Sequence, residues 1–393
     1  MKTFDLAIVG GGIVGLMAAV AARASGASVL LCEASSRPSG ASVRNFGQIV
    51  PSGQSTGLWR SLGDRSVAIY RTLSQRWNLP LRRGGSLYVA SDDDELQLLG
   101  EMQAFNNQHG YLSTLLGPGA THAHQPGLAA DYVKGGLFYP EEMTADSPAL
   151  LIALARALAE DPDCELRMGC RIRDIDEIGS VCRLVSAEGF VMEAAQVLMA
   201  PGTGLSGPLA HVLLEAGLRI CRLQMMSTDP MPGLKLDANL LTGLSIRRYP
   251  AFQSCPSRAA MVTPQAMQHF EQAGVHLLFT QRADGSLIVG DSHAWMAARD
   301  VDGLDYRIDM ALNALMLDEA RRILGLERIR VRETWNGYYS EHPDGLLARS
   351  LGPRIHVLTG IGGKGMTTGP AVAERVTRSI LDGENRIDEL FVD

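Results

Sequence analysis

Phe4-Asp5-Leu6-Ala7-Ile8-Val9-Gly10-Gly11-Gly12-Ile13-Val14-Gly15, an alanine-rich run to Ala24, Gly26, and then Ser28-Val29-Leu30-Leu31-Cys32-Glu33 decide how this chain is read. The order is strand, glycine turn, helix, strand, acid. Gly10 permits the tight turn, Gly12 lets a pyrophosphate approach the backbone, and Gly15 lets the helix pack closely on the sheet. The helix start at Ile13 and Val14 offers unpaired N–H groups and a positive dipole end to phosphates. Glu33, with Ala34 beside it, stands about 20 residues past the glycines, where an acid binds ribose hydroxyls. A glycine turn alone is a weak signal. Followed by helix, second strand and acid, it points to dinucleotide binding rather than to a bare αβ turn.

Composition agrees with an ordinary globular protein. The chain has 393 residues, 46% hydrophobic and 20% charged, which implies two or three domains with sizeable cores. A net charge of −7 without a basic stripe argues against nucleic acid as a partner. The six cysteines, Cys32, Cys164, Cys170, Cys182, Cys221 and Cys255, form no CxxC pair and no disulfide spacing. The glycine-interrupted start does not read as a signal peptide, and no window reaches the roughly 18 apolar residues of a membrane span. The expectation is a protein of the cytoplasm with no membrane span. The oligomeric state is not legible.

Past Glu33, Ser39-Gly40-Ala41-Ser42-Val43-Arg44-Asn45-Phe46-Gly47-Gln48 is small and polar, like a loop that approaches a ligand closely. Apolar spacing predicts a helix over 60–78 ended by Leu79-Pro80, a strand at 86–90 and a helix over 92–109. Gly117-Pro118-Gly119, Gln125-Pro126-Gly127 and Lys134-Gly135-Gly136 read as loops. His122 and His124 lack further ligand types at a convincing spacing, so no metal is expected. Asp146-Ser147-Pro148 caps a helix to Ala159. Short strands follow at 165–168, 171–178, 181–185 and 189–192. Gln196–Ala200 then runs into Pro201-Gly202-Thr203-Gly204, a buried strand returning beside the first. Residues 276–280 and 286–290 flank Ala283-Asp284-Gly285 as a hairpin, and 302–325 reads as mostly helical. Ile355–Thr359 is a strand, Gly360–Gly369 a glycine-rich loop, and Pro370 the first residue of a helix to Leu381.

The glycine turn with Glu33, the GASVRNFG loop, LMAPGTG at 198–204 and GIGGKGMTTGP at 360–370 together resemble the FAD-dependent amine oxidases of the glycine oxidase, D-amino-acid oxidase and monomeric sarcosine oxidase type. The resemblance covers the whole chain. Leu244–Phe252, His276–His293 and the GKGMT loop are similar to a bacterial branch associated with aminophosphonate breakdown. The implied class is α/β (α+β overall), a glutathione-reductase-type FAD fold. It has a discontinuous Rossmann-like FAD domain (1–85, 146–218 and 331–393) and an antiparallel-sheet substrate domain (86–145 and 219–330).

The resemblance implies that Ala41, Ser42, Arg44, Asn45, Phe46 and Gly47 line the flavin ring. Gly362, Gly363, Lys364, Gly365, Met366 and Thr367 would meet its pyrimidine end, Cys170 and Arg171 the adenine side, and Ala200 and Gly202 the strand end. The implied reaction is hydride transfer from the carbon next to an amine nitrogen, giving an imine that water hydrolyses, with O2 or another acceptor taking the electrons. Trp335-Asn336-Gly337-Tyr338-Tyr339-Ser340 has no cysteine for flavin attachment, which implies non-covalent FAD. Tyr339 stands where glycine-oxidase-like members carry a carboxylate-binding arginine, so a phosphonate becomes the expected anion. Arg44, Arg247, Arg248, Tyr249, His293, Tyr339 and Lys364 are then the candidate substrate contacts. Lys364, His293 and Tyr339 are the catalytic candidates, and Lys364 is expected to favour reoxidation by O2 through its charge. The alternatives are an amino-acid oxidase or dehydrogenase, a flavin monooxygenase suggested by Gly290-Asp291-Ser292-His293, and a non-catalytic nucleotide binder.

Overall fold

The computed structural model describes every residue except Met1, Leu205, Ser206, Leu209, Leu304, Asp305, Asn385, Val392 and Asp393, and only the backbone of Val301 and Asp302. Thr3–Val9 lies between Val29–Glu33 and Val191–Met199, parallel to both. Cys164–Met168 extends the sheet beyond Val29–Glu33, and Ile355–Thr359 pairs in parallel with the end of Val191–Met199. At the centre of the sheet, 6–9, 29–32 and 197–199 are continuous apolar runs because both faces are covered there. Ile8 and Leu31 pack with Leu16, Leu154, Val372 and Val376 of the helices Ile13–Ala24, Ser147–Ala159 and Gly365–Leu381. Ala7, Leu30, Val197 and Met199 pack on the opposite side with Leu213, Leu218 and Val357. A Cβ on Gly15 would stand 1.9 Å from the Gly10 carbonyl oxygen, so helix and strand touch there through backbone alone.

The second sheet has nine strands. Arg219–Thr228 is its longest contact, paired antiparallel with Val331–Glu341 along one edge and with Leu287–Gly290 and Ala294–Ala297 along the other. Val331–Glu341 was expected with the cofactor domain. Its register from Arg219↔Glu341 to Thr228↔Val331 places it in the antiparallel sheet instead. Side chains alternate across such a sheet. Met226, Leu277, Phe279 and Val289 face Met316, Ala320 and Ile323 of the helix Met310–Leu324. Met225 and Leu278, between them, line a cavity on the other face, and Asp291 and His293 join them because the pairing slips by one residue from Leu278↔Gly290 to His276 with Asp291.

Other elements differ from the sequence reading for local reasons. The helix expected over 302–325 begins at Met310, because Asp309 accepts from the Ala311 and Leu312 N–H groups and fixes the start; Leu304 and Asp305 lie outside the described residues. Pro118–His124 is a short helix rather than a loop, with proline in its first turn. The strands expected at 189–192 and 196–200 are one strand, Val191–Met199. The last helix starts at Gly365, a full turn ahead of Pro370. Proline inside a helix removes an N–H and leaves the carbonyl four residues back without its partner. Here the buried Tyr70 hydroxyl donates to that carbonyl, Met366 O, at 3.0 Å.

Candidate active site

Both sheets open on one cavity of ≈ 710 Å³, inside the range of roughly 300–1,000 Å³ typical of ligand pockets. Gly10, Gly12, Ile13, Val14, Glu33 and Ala34 form one end, with Cys170, Arg171, Ala200 and Gly202 beside them. Ala41, Ser42, Arg44, Asn45 and Phe46 line it too, as do Gly362, Gly363, Lys364, Gly365, Met366 and Thr367.

At the glycine end the geometry is made by backbone. Gly10 has φ +120°, and a Cβ there would stand 2.2 Å from Ala200 O. Glu33 accepts from the Gly11 N–H at 2.7 Å and from the Ser35 N–H at 2.8 Å. A carboxylate has about four acceptor positions, so two remain for a ligand's hydroxyls. The Ile13 N–H is spent on Ser42 Oγ at 3.0 Å, which anchors the 39–48 loop over the helix start.

The wall on the antiparallel sheet is made by side chains. His276 and Asp291 exchange backbone hydrogen bonds of 3.1 and 2.9 Å, a cross-strand pair whose side chains share a face. His293 and Trp295 follow Asp291 at two-residue spacing on the same face. His276 Nε2 lies 3.0 Å from Asp291 Oδ1, and the two imidazoles stack at 4.9 Å. Arg248 donates to His293 Nδ1 at 2.9 Å and to Gly274 O at 3.2 Å, with Trp295 5.5 Å away. Tyr339 faces His293 edge-on at 6.2 Å, and Tyr249 faces His276 at 5.7 Å.

Burial decides the charges. It works to raise the Asp291 carboxyl, but His293, His276 and Arg248 together bring it below its ordinary value. Burial lowers His293 to about 3 and lowers His276, with Asp291 opposing in both. Burial raises the Tyr249 and Tyr339 hydroxyls, which stay protonated. The wall thus carries one cation, Arg248, one carboxylate and two neutral imidazoles. Lys364 lines the same cavity, next to Gly363, where a Cβ would stand 3.6 Å from the Tyr339 ring. Its ammonium donates to Gly345 O at 3.1 Å and lies 4.1 Å from the Trp59 ring, and burial lowers its pKa against the pull of Glu341.

A family described as FAD dependent oxidoreductase (DAO) matches residues 5–379. The chain belongs to that family. Among curated relatives, this oxidoreductase is 24% identical over 392 residues to the bifunctional protein ThiO/ThiG of Nostoc sp., covering 97% of this chain and 53% of that one. It therefore spans about half of that relative. It is also 24% identical over 368 residues to one component of the opine oxidase of Rhizobium meliloti, covering 88% and 84%. Among solved structures, the glycine oxidase of Geobacillus kaustophilus superposes with a TM-score of 0.77 at 19% identity, over 97% of this chain and 95% of that one. That likeness shows the fold.

FAD is the cofactor of the oxidoreductase, and the cavity fits it. The helices Ile13–Ala24 and Gly365–Leu381 both start at the cavity wall, and neither N-cap residue caps its helix with its own side chain; apart from the Ile13 N–H, which Ser42 Oγ takes, their first turns offer N–H groups to phosphate oxygens and to the carbonyls of a flavin. Gly12 keeps open a space that a Cβ would narrow to 3.2 Å from Ser42 Oγ.

Three expected contacts are not in the wall. Gly15 packs against Gly10. Gly47 (φ +73°) sits where a Cβ would stand 1.9 Å from Ala145 O, so it serves strand approach rather than cofactor contact. Arg247 is turned away from the cavity: its Nε donates to Glu95 Oε1 at 2.6 Å, and it pairs with Asp92. Successive residues of a helix point about 100° apart, so on Gly243–Arg248 only Arg248 of the two reaches the wall. Sequence reading missed His276 and Asp291. The polar, two-residue spacing of Asp291, His293 and Trp295 was the available signal. The GDSH stretch runs through the antiparallel sheet into this wall, which removes the motif that suggested a monooxygenase. Among the described residues no helix is long and apolar enough to cross a membrane.

Proposed function

We propose that the oxidoreductase oxidises the C–N bond of a small amine that also carries an anion, an aminophosphonate of the 2-aminoethylphosphonate kind or an N-methylated or hydroxylated relative. The products are an imine, hydrolysed to aldehyde plus amine or ammonia, and hydrogen peroxide from O2. The observation that carries this reading is Arg248 inside the cavity, held by Gly274 O, His293 and Trp295. Around it, Tyr249 and Tyr339 keep their protons and line the same wall. A cation with several neutral donors suits a phosphonate's three oxygens. When bound, FAD supplies the acceptor for the hydride leaving the carbon beside nitrogen. The chain's own part is to hold the anion at Arg248, to point that carbon across the cavity, and to exclude water with Phe46, Leu223, Met225 and Leu278.

Non-covalent FAD is part of the proposal. The cysteines lining the cavity, Cys32 and Cys170, belong to the Glu33 end, and denaturation should release free FAD. The test of substrate is anaerobic bleaching of the bound flavin with 2-aminoethylphosphonate, its N-methyl and 1-hydroxy relatives, glycine, sarcosine and D-alanine. Bleaching by phosphonates alone is expected. Bleaching by the amino acids alone would instead give Arg248 a carboxylate partner and make the chain an amino-acid oxidase or dehydrogenase.

A further inference from the structure

Asp291 is left unused by the binding of an anion. The residue is buried, at 6% exposure, yet it lines the cavity. Its Oδ1 is closed off and has no hydrogen-bond partner among the described residues, so the surface left to the side chain is on the Oδ2 side, toward the cavity. Its ionisable neighbours at contact are His276 Nε2 at 3.0 Å and His293 Nδ1 at 3.8 Å, and burial keeps both rings neutral. Arg248 donates to His293 Nδ1 at 2.9 Å and to Gly274 O, and makes no ion pair with Asp291 among the described residues. A buried carboxylate with no cation in contact is costly. A cationic group on a ligand removes that cost.

Guanidinium and carboxylate both meet His293 Nδ1, so opposite charges stand side by side on one wall, no further apart than 2.9 and 3.8 Å laid end to end. That spacing suits a zwitterion whose nitrogen and anion are joined by one or two carbons.

We propose that Asp291 is the contact for the substrate nitrogen, accepting from its N–H while Arg248 holds the anion, and that its negative charge favours the iminium formed on oxidation. The proposal rests on the reading that a C–N bond is oxidised in this cavity. In that step the C–H bond beside nitrogen breaks, its electron pair leaves as hydride for FAD, and the nitrogen lone pair closes the C=N bond. Positive charge thus appears at nitrogen, beside a carboxylate already in place. The attraction is stronger after the hydride has left than before, and only such a gain speeds a step. The ammonium form binds too, but it has no lone pair to give until its proton has gone to solvent.

The groups facing Asp291 are His293 on its own stretch, His276 across from it, Arg248 and Tyr249 at the end of the short helix, and Cys221 and Tyr339 on the long paired strands. Burial keeps that thiol and both hydroxyls protonated, so Asp291 alone answers a positive nitrogen. His276, Asp291 and His293 also present ligand atoms within 4.8 Å of one another, a spacing that suits a divalent metal. Arg248 argues against one, since its charge and its donor both sit on His293 Nδ1.

The experiment uses the FAD-loaded enzyme and has two arms. The first is anaerobic calorimetry with an amine and its amine-free analogue: 2-aminoethylphosphonate against ethylphosphonate, and glycine against acetate. Asp291→Asn should weaken the amine about 100-fold, as loss of a buried charged partner does. It should tighten the analogue on the order of tenfold, because a like charge near the anion is gone. A merely structural role would weaken both, and that result would overturn the proposal, as would stoichiometric zinc binding lost in Asp291→Asn. Should Asp291→Asn fail to fold, wild type decides: the amine should bind at least about tenfold tighter than its analogue, and equal binding would overturn the proposal. In the second arm, the pH dependence of anaerobic bleaching is followed with whichever panel amine bleaches wild type. Without the carboxylate the bound ammonium gives up its proton more easily, so the acidic limb should move to lower pH. The plateau above it should fall about 100-fold, the scale of one lost electrostatic contact in the transition state, with the flavin spectrum and FAD affinity unchanged. An unmoved or upward-moving limb would overturn the proposal. If no amine bleaches the flavin, the substrate reading fails by itself, and the calorimetric contrast still decides whether Asp291 meets an amine.

Discussion

The two ends of the cavity are built from different materials. At the Glu33 end, Gly10, Gly12 and Gly15 shape the site through backbone, within a few residues of one another in the chain. On the antiparallel wall, Arg248, His276, Asp291, His293 and Tyr339 are side chains brought together from three separate stretches. The first kind of site depends on the absence of atoms, and the second on the direction in which long side chains point. The two should therefore fail differently.

Gly15→Ala should do the most damage. Its Cβ would stand 1.9 Å from Gly10 O, against backbone that cannot step aside, which exceeds the roughly 1–3 kcal/mol of ordinary overpacking. Loss of bound FAD together with folded protein, read by absorbance and circular dichroism, is expected. A stable, yellow Gly15→Ala protein would refute the contrast between backbone-built and side-chain-built ends.

The adjacent arginines sharpen it further. Arg247→Met strands Glu95, whose side chain is fully buried. It should lower stability by about 3–5 kcal/mol, the cost of breaking a buried pair, while leaving substrate affinity near wild type. Arg248→Met should leave the melting temperature nearly alone and weaken substrate binding about 100-fold, from the loss of a buried charged partner. Chemical denaturation and substrate titration separate the two outcomes.

A smaller effect should appear in pH. Burial raises Glu142 to about 7 from 4.5, with Ser86, Arg60 and Ser52 opposing, and its Oε2 has no partner among the described residues. The folded protein holds that proton where the unfolded chain has released it. Stability from Glu142 is thus full below the ordinary value and lost as pH rises through about 7. Glu142→Gln, which cannot ionise, should gain on wild type between pH 5 and pH 8, with a ceiling of about 3 kcal/mol at 1.36 kcal/mol per pKa step. Melting curves at the two pH values check it, and a gap that does not grow would show Glu142 ionised in the folded protein as readily as in the unfolded chain. The histidines act oppositely. With pKa values below the ordinary 6.5, His276 and His293 stay neutral when folded, so their contribution is lost as pH falls below that value.

The smallest change is Tyr70→Phe. It removes the donor to Met366 O at 3.0 Å and should cost about 1–3 kcal/mol for a stranded buried carbonyl. The loss should show in thermal melts with no change in the flavin spectrum.

The nucleotide end was legible because its instruction is local: a positive φ, a close approach and an acid at fixed spacing each restrict which residue can stand there. The hairpin at 276–290 was legible for the same reason. The start of the last helix was not, since Pro370 inside a helix is tolerated only because Tyr70, 296 residues away in sequence from the carbonyl it reaches, satisfies that freed group. Nor could the stretch 331–341 be assigned to a sheet before its partner strand was known.

By itself the sequence determined that a dinucleotide is held on a glycine turn, that FAD chemistry follows, and that an antiparallel sheet faces it. Only the tertiary structure decided that Arg248 rather than Arg247 enters the cavity. It also decided that the Lys364 ammonium lies between Gly345 O and Trp59, and that His276 meets Asp291. The reason is physical: backbone constraints act over a few residues and leave their mark in the chain, whereas the direction of a charged side chain is set by partners that folding brings from far away.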